Sequence, residues 1–135
     1  HPFANAPGAD VILRSSDGAE FHLNRAILSL VSPVFRDVFT LPQPASAAEP
    51  VVELQEGSSV LDGALRFFYP GAQPTIATLG ELGEMIEVLI SKYDMECIMP
   101  TAKHHLEKYI VAEPLAVYVL AVRYRWKDMA VAAAR

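Results

Sequence analysis

The sequence predicts an α+β domain with a small, mostly N-terminal sheet capped by a cluster of helices. Residues 10–23 have the apolar alternation and central turn residues of a β-hairpin, and residues 51–54 have the pattern of a further short strand. From residue 58 onward the apolar residues recur at helical spacing. Strands near the start and helices after them are typical of a domain whose helices gather on one side of an antiparallel hairpin.

Length and composition agree with one compact domain. The chain has 135 residues, of which 52% are hydrophobic and 20% charged, and this balance is typical of a globular protein rather than a disordered one. The only cysteine, Cys97, has no internal partner for a disulfide, which favours a reducing, intracellular setting, cytoplasmic or nuclear. No apolar run approaches the ~18 residues of a membrane span, so we expect no membrane partner.

The hairpin predicted at residues 10–23 has a turn in which Gly18 adopts a positive φ. Asn24 follows directly and is a suitable N-cap for a short helix over residues 25–31. Residues 1–9 are expected to form a flexible leader. The apolar residues that alternate along the two strands are Val11, Leu13, Phe21 and Leu23.

A proline interrupts the most helix-like apolar run of the chain. Pro33 disfavours the helical conformation at Ser32 and removes one backbone N–H donor, so a single helix cannot continue through this pair. A serine at N-cap followed by proline at N1 is nevertheless a favourable helix start. We therefore expect two short helices, 25–31 and 33–40, that meet at an angle.

Helices are predicted for most of the chain beyond a proline-rich loop at residues 40–50. The first of them takes Ser58 or Ser59 as its N-cap. The clearest amphipathic pattern runs from Leu79 to Tyr93. The predicted helices cover residues 58–69, 79–93, 95–109 and 114–122, with a final helical piece at 126–135.

The charge is unevenly distributed along the chain. Residues 1–102 carry 13 acids and 5 bases, a net charge of −8, whereas residues 103–135 carry 3 acids and 6 bases, a net charge of +3. A nucleic-acid-binding face would need denser basic residues with stacking aromatics, so we interpret the tail as a solvated helical surface and expect no nucleic-acid partner.

Residues suited to catalysis or metal binding are scarce. The chain has neither a Gly-x-Ser-x-Gly motif nor a glycine-rich phosphate loop with lysine. His104 and His105 are adjacent, and neighbouring helical side chains point about 100° apart, which does not suit a shared zinc ion. Cys97 lies among apolar residues and is interpreted as a packed small side chain. We predict no catalytic residues, no metal and no cofactors. The acidic face of the amphipathic helix is interpreted as a solvated surface and comprises Glu81, Glu84 and Glu87.

Five short motifs in this order resemble the BTB/POZ domain family. The match extends from Asp10 to about Ile110, and no single motif is specific, but their order over a hundred residues is. Asn24 stands where the family usually has histidine. The motifs are Asp10-Val11-Ile12, Phe21-His22-Leu23-Asn24-Arg25, Ile27-Leu28 with Ser32-Pro33-Val34-Phe35 to Val38-Phe39, Phe67-Phe68-Tyr69-Pro70-Gly71, and Ser91-Lys92-Tyr93-Asp94-Met95.

The resemblance implies the BTB/POZ fold over residues 10–110 and a truncated helical extension over residues 111–135, as in the simpler fungal-type members. It also implies a non-enzymatic protein–protein interaction domain that acts as a scaffold for homo- or hetero-oligomerisation, including a homodimer. Burial of apolar surface from the first two helices would provide the contact. The wholly apolar helix at 114–122 must also be buried, either in its own domain or against another chain.

Family members also suggest which residues bind partners. Asp10 and Arg25 match an acid and a base that line a charged pocket at the dimer groove, and we expect the two to lie close together. Members that recruit cullin ubiquitin-ligase scaffolds use an apolar-x-Glu element that follows the aromatic matching Phe39, where this chain has Leu41-Pro42-Gln43. The glutamine in place of the acid argues against a ubiquitin-ligase adaptor with a cullin partner. That function stays open as an alternative. The expected partner-binding residues are Asp10, Arg25, Val38, Phe39, Leu41 and Tyr69.

Two further classes remain as alternatives to the interaction domain. One is a hydrolase built on an unrecognised set of serine, histidine and aspartate. The other is nucleic-acid binding through the basic tail.

Overall fold

The fold is described by a computed structural model covering residues 3, 8–41, 50–70 and 72–135. A three-stranded sheet has the order β2-β1-β3, in which β1 (Val11–Arg14) lies in the centre. It pairs antiparallel with β2 (Glu20–Leu23) and parallel with β3 (Val51–Glu53). The predicted hairpin and third strand are therefore confirmed, and the sheet is the small N-terminal layer of an α+β fold.

Seven α-helices are present among the described residues, and they follow or surround the sheet. The first two lie between β2 and β3, and the other five follow β3. They are α1 (Arg25–Val31), α2 (Pro33–Phe39), α3 (Ser58–Leu65), α4 (Leu79–Ile86), α5 (Met99–Glu107), α6 (Pro114–Arg123) and α7 (Lys127–Ala134).

The break between α1 and α2 falls at the serine–proline pair, as predicted. Ser32 has an extended backbone, and its Oγ accepts a hydrogen bond of 3.1 Å from the N–H of Phe35. The same hydroxyl donates a 2.6 Å hydrogen bond to the carbonyl of Tyr93, far along the chain. Ser32 is fully buried. Its side chain caps α2 and also connects the α1–α2 junction to the backbone at Tyr93.

The starts of α1 and α3 are capped by aspartates from the hairpin, which corrects two predicted caps. Asn24 occupies the N-cap position of α1 without a side-chain capping bond, and the Oδ1 of Asp10 accepts from the N–H of Arg25 at 2.7 Å instead. Gly57, rather than Ser58 or Ser59, is the N-cap of α3. There, Asp17 in the hairpin turn accepts from the backbone N–H of Ser58 at 3.0 Å and from its hydroxyl at 2.7 Å.

Three predicted helices are shorter or less regular than expected. The helix expected over 58–69 ends at Leu65, and turns follow to Tyr69. The long amphipathic pattern forms α4 and then a π-helical segment, Glu87–Lys92. The helix expected from residue 95 begins as a short 3₁₀ turn, Glu96–Ile98, because Pro100 suits only the first turn of the α-helix behind it.

The core lies between the sheet and the helices and includes a residue outside the predicted hairpin. Phe3 falls within the expected flexible leader, yet its side chain is only 1% exposed. Its ring packs edge-on against Tyr69, with centroids 5.4 Å apart, and against Phe21 at 6.1 Å. The predicted stripe of α4 and the π-helical segment is buried, and its most buried members are Leu79, Leu82, Met85, Ile86, Leu89 and Tyr93.

The apolar helix predicted over 114–122 is only partly buried within its own domain, so burial of its other side against another chain stays a prediction. Val117 and Ala121 of α6 are fully buried, whereas Leu115, Val119 and Val122 are each more than half exposed. Helix α6 therefore has apolar side chains on two faces, and only one of these faces packs against the rest of the domain.

Candidate protein-interaction site

The outer side of α1 carries the most exposed large apolar side chain in the first two helices. Leu30 is 84% exposed, while Leu28, two residues earlier and therefore about 200° away around the helix, is fully buried. Ala26, one turn before Leu30, is also exposed, and Val34 on α2 is 36% exposed. These three exposed apolar residues are called the α1 surface below.

Asp10 and Arg25 lie together, but through the backbone of Arg25 rather than through its charged group. The Asp10 carboxylate accepts the 2.7 Å hydrogen bond that caps α1. The guanidinium of Arg25 turns toward the end of α2, where it lies 5.4 Å from the centroid of the Phe39 ring and 3.5 Å from the Phe39 carbonyl. The expected proximity is therefore present, while the charge of Arg25 is directed at Phe39.

The end of α2 combines half-buried and exposed apolar residues. Phe39 is half-buried and stacks on Phe35, with ring centroids 6.0 Å apart and an interplanar angle of 26°. Val38 is also half-buried, and Leu41 is 60% exposed. The residues after Leu41 in the expected apolar-x-acid element, Pro42 and Gln43, lie outside the described residues.

Tyr69 is held inside the domain by a pair of hydrogen bonds. Its hydroxyl accepts from the backbone N–H of Asn24 at 2.7 Å and donates to the Asn24 side-chain oxygen, also at 2.7 Å. Desolvation by burial raises the pKa of the Tyr69 hydroxyl. Only 9% of Tyr69 is exposed. Tyr69 therefore supports the start of α1 from the inside of the domain and is not part of the outer surface.

The predicted partner-binding residues therefore occupy two layers. Asp10, Arg25 and Tyr69 position the first turn of α1, and Phe39 and Leu41 mark the end of α2. Leu30, by contrast, is not among the partner-binding residues expected from the sequence. The available signal was that Leu28 and Leu30 lie on opposite sides of one short helix, so both cannot face the same core.

Among the residues considered for chemistry, His104 and His105 lie side by side, with ring centroids 5.8 Å apart. Cys97 is exposed, so the interpretation of it as a packed small side chain is wrong. Partial desolvation still raises the pKa of its thiol, which disfavours the reactive thiolate. Burial, together with neighbouring Lys108 and His104, lowers the pKa of His105. No cluster of three or more His, Cys, Asp or Glu side chains suited to a metal ion occurs in the part of the chain that the structure describes. Among the same residues, no helix has both the length and the apolar character needed to cross a bilayer.

Comparison with protein families identifies the class. The family model of the BTB/POZ domain matches residues 3–110, which is more than half of the chain. This chain therefore belongs to the BTB/POZ family. The match begins at residue 3, in agreement with the burial of Phe3 in the core.

Solved structures show the same fold. Among them 76 chains match, and one is the BTB domain of zebrafish PATZ1, with a TM-score of 0.55 and 20% sequence identity over 74% of this chain and 76% of that chain. No curated protein matches in the corresponding search. BTB domains are interaction and oligomerisation modules, generally without enzymatic activity.

Proposed function

We propose that this chain is a non-enzymatic oligomerisation module that binds a second copy of itself through the α1 surface. The single observation that carries the proposal is the exposure of Leu30, 84%, on a helix whose opposite side is buried. Removing such a side chain from water on contact with a partner is favourable, at roughly 25 cal/mol per Å² of apolar area.

The surroundings of Leu30 support a symmetric contact. Ala26 presents a small side chain one turn away, so that two copies of α1 can approach closely, and Val34 is a further exposed apolar side chain at the start of α2. The cap from Asp10 and the hydroxyl of Tyr69 hold the first turn of α1 in place before any partner arrives. A surface organised in advance loses less entropy on association.

The test is the mass of the protein in solution, measured by light scattering after size-exclusion chromatography. At protein concentrations below about 10 µM, the wild type is expected to be a dimer. Leu30→Asp is expected to be a monomer there, because the contact would then bury a carboxylate without a partner. Val131→Asp, which alters an exposed valine on α7, is the matched control and should keep the wild-type mass. A monomeric wild type, or a Leu30→Asp variant that still dimerises with wild-type affinity, would contradict the proposal.

A cullin adaptor is the second candidate within the binding class. The observation in its favour is Leu41, whose side chain is 60% exposed directly after α2. A purified cullin N-terminal domain immobilised on a biosensor should bind the wild type and lose at least about tenfold in affinity with Leu41→Asp. Equal binding by Leu41→Asp and wild type, or no binding by either, would remove this candidate.

The other classes have their own tests. Stoichiometric labelling of a single residue by broad serine- or cysteine-directed probes would revive the hydrolase alternative, and we expect no such labelling. Failure to shift oligonucleotides at any salt concentration would remove nucleic-acid binding through the basic tail. The fungal-type assignment and the intracellular location stay predictions.

A further inference from the structure

A second apolar surface lies on α6, on the side of the molecule formed by the C-terminal helices. Leu115 is 75% exposed, Val119 56% and Val122 52%, and Tyr118 is 41% exposed beside them. At 100° per residue these four side chains fall within one stripe along the helix. The four residues are called the α6 stripe below.

The opposite side of α6 is firmly attached to the domain. Val117 and Ala121 are fully buried, and Leu120 reaches toward Gly83 of α4. The Tyr124 hydroxyl, just after the helix, donates a 2.7 Å hydrogen bond to Glu87 in the π-helical segment. The α6 stripe is therefore the outer side of a packed helix, and a partner would meet a rigid surface.

The two ends of α6 carry opposite charges. Glu113 is exposed at the N-terminal end, and Arg123 is exposed at the C-terminal end, with 58% of its side chain accessible even though it pairs with Glu87 at 3.0 Å. Two antiparallel copies of α6 would place the Glu113 end of each beside the Arg123 end of the other. A parallel pair would instead bring like charges together, which is unfavourable.

The apolar residues of the stripe have the same antiparallel symmetry. Leu115 and Val122 lie at equal distances in sequence from the midpoint between Tyr118 and Val119. In an antiparallel pair centred on that midpoint, Leu115 meets the Val122 of the other copy, and Tyr118 meets the Val119 of the other copy. An isologous two-fold interface requires this kind of self-complementarity.

From this charge pattern and this symmetry we infer that the α6 stripe is a second homotypic interface, in which two copies of the chain pair their α6 helices antiparallel. The contact is distinct from the α1 surface, and it does not depend on the function proposed for that surface. The helix has ten residues and is therefore about 15 Å long, so the buried area is below the roughly 800 Å² per partner of a standard interface. The association is accordingly weak, with a Kd above about 10 µM.

The experiment is sedimentation velocity on the whole chain in a Leu30→Asp background, which removes any contribution from the α1 surface. Protein concentrations from about 10 µM to about 1 mM cover the expected Kd. The Leu30→Asp protein is expected to show concentration-dependent dimerisation. Adding Val119→Glu should weaken it at least about tenfold, because a symmetric interface contains the substitution twice.

The matched control is Val131→Glu on α7. Val131 is 55% exposed, compared with 56% for Val119, so both substitutions place the same charge at equally accessible valines. Val131→Glu should leave the dimerisation constant unchanged. Leu115→Lys is a second stripe variant for the case in which Val119→Glu does not fold. The Leu115 side chain is 75% exposed, so the substitution should leave folding intact and cause the same loss of association.

Charge exchange tests the antiparallel arrangement. Glu113→Arg and Arg123→Glu alone should each weaken the dimer, because each creates a like-charge contact between the ends of the two helices. The double variant restores the opposite charges and should recover most of the affinity. Arg123→Glu also removes the ion pair with Glu87, so the thermal midpoint of each variant is measured alongside its Kd.

Three outcomes would overturn the inference. The first is a Leu30→Asp protein that stays monomeric at the highest concentration. The second is an equal loss of association with Val119→Glu and with the Val131→Glu control. The third is a double charge exchange that associates no better than the single variants. If Leu30→Asp associates as strongly as wild type and Val119→Glu abolishes that association, the α6 stripe stands and the α1 proposal fails.

Discussion

Individual polar side chains in this domain satisfy backbone groups that are distant in sequence. Ser32 joins the α1–α2 junction to the carbonyl of Tyr93, and Asp17 joins the hairpin turn to the start of α3. Each of these residues therefore holds two elements together while it satisfies a helix terminus. Replacing them should cost more than an ordinary surface substitution.

Ser32→Ala is expected to lower the free energy of unfolding by about 2 to 3 kcal/mol, because α2 loses its cap and the buried carbonyl of Tyr93 loses its donor. Urea denaturation followed by circular dichroism measures the change. Ser29→Ala, on the preceding helix, is the control and should stay within about 0.5 kcal/mol of wild type. Equal stability of Ser32→Ala and wild type would show that the buried hydroxyl contributes little.

Asp17 is expected to make stability depend on pH in the acid range. Hydrogen bonds from Ser15 and from Ser58 lower the pKa of the Asp17 carboxyl to about 2. Because the folded pKa is below that of the unfolded chain, about 3.9, this contribution is present above pH ~4 and is lost as pH falls toward 2.

Thermal unfolding between pH 5 and pH 2, measured by circular dichroism, tests this dependence. Asp17→Asn should have a smaller loss of melting temperature on acidification than wild type. Ser58→Ala removes one of the donors and should reduce the loss in part, whereas Ser59→Ala, next to it, should behave like wild type. An unchanged pH dependence in Asp17→Asn would contradict the assignment.

At the scale of elements, close packing between α3 and α4 depends on a glycine. A Cβ atom built at Gly63 would lie 2.2 Å from the terminal methyl carbon of Met85 and 3.0 Å from its sulfur. The buried surface of α3 therefore approaches α4 more closely than a larger residue would permit. The end of a methionine side chain is flexible, so a single methyl group is tolerated better than a branched side chain.

Gly63→Val is expected to lose about 2 kcal/mol or more of unfolding free energy, because the branched side chain must push α4 away. Gly63→Ala should lie within about 1 kcal/mol of wild type, since displacement of the Met85 methyl is offset by the higher helix propensity of alanine. Urea denaturation of both variants checks the pair. Similar stabilities for alanine and valine at this position would show that the α3–α4 contact is not tight.

At the scale of the whole molecule, the two exposed apolar surfaces lie on different parts of the chain. The α1 surface belongs to the region matched by the BTB/POZ family model, whereas the α6 stripe lies beyond residue 110. A molecule with two separate isologous interfaces assembles beyond the dimer, because each dimer still has two free surfaces.

The wild-type chain is therefore expected to show species larger than a dimer at concentrations above the Kd of the α6 contact. Leu30→Asp and Val119→Glu should each limit assembly to a dimer, and the double variant should be a monomer. Sedimentation velocity distinguishes these four patterns. A wild-type protein that stops at the dimer at about 1 mM would show that only one of the two surfaces associates.

Local pattern was sufficient for much of the fold. The division of residues 25–39 follows from the covalent geometry of proline, and the structure has that division. The hairpin follows from apolar alternation around a turn glycine, and Gly18 indeed has a φ of 87°. The buried stripe from Leu79 to Tyr93 follows from helical periodicity, which survives the change to a π-helical segment.

Other features depend on which elements meet in space. Asn24 was the local candidate to cap α1, but its side chain bonds to Tyr69, and Asp10 supplies the cap instead. Phe3 belongs to no periodic apolar pattern in the sequence. It is buried because its ring packs against Phe21 and Tyr69. These contacts join residues that are distant in sequence, so a local sequence pattern cannot predict them.

The sequence by itself determined the α+β class, the family and the positions of the short elements, because propensity, periodicity and proline geometry act within a few residues. The tertiary structure alone decided which apolar faces are covered. Leu28 and Leu30 are chemically identical, as are the valines of α6, and only the placement of neighbouring elements buries Leu28 and Val117 while leaving Leu30 and Val119 exposed. Burial depends on the neighbouring elements in the folded chain, and the two proposed interaction surfaces are defined by the side chains that those elements leave exposed.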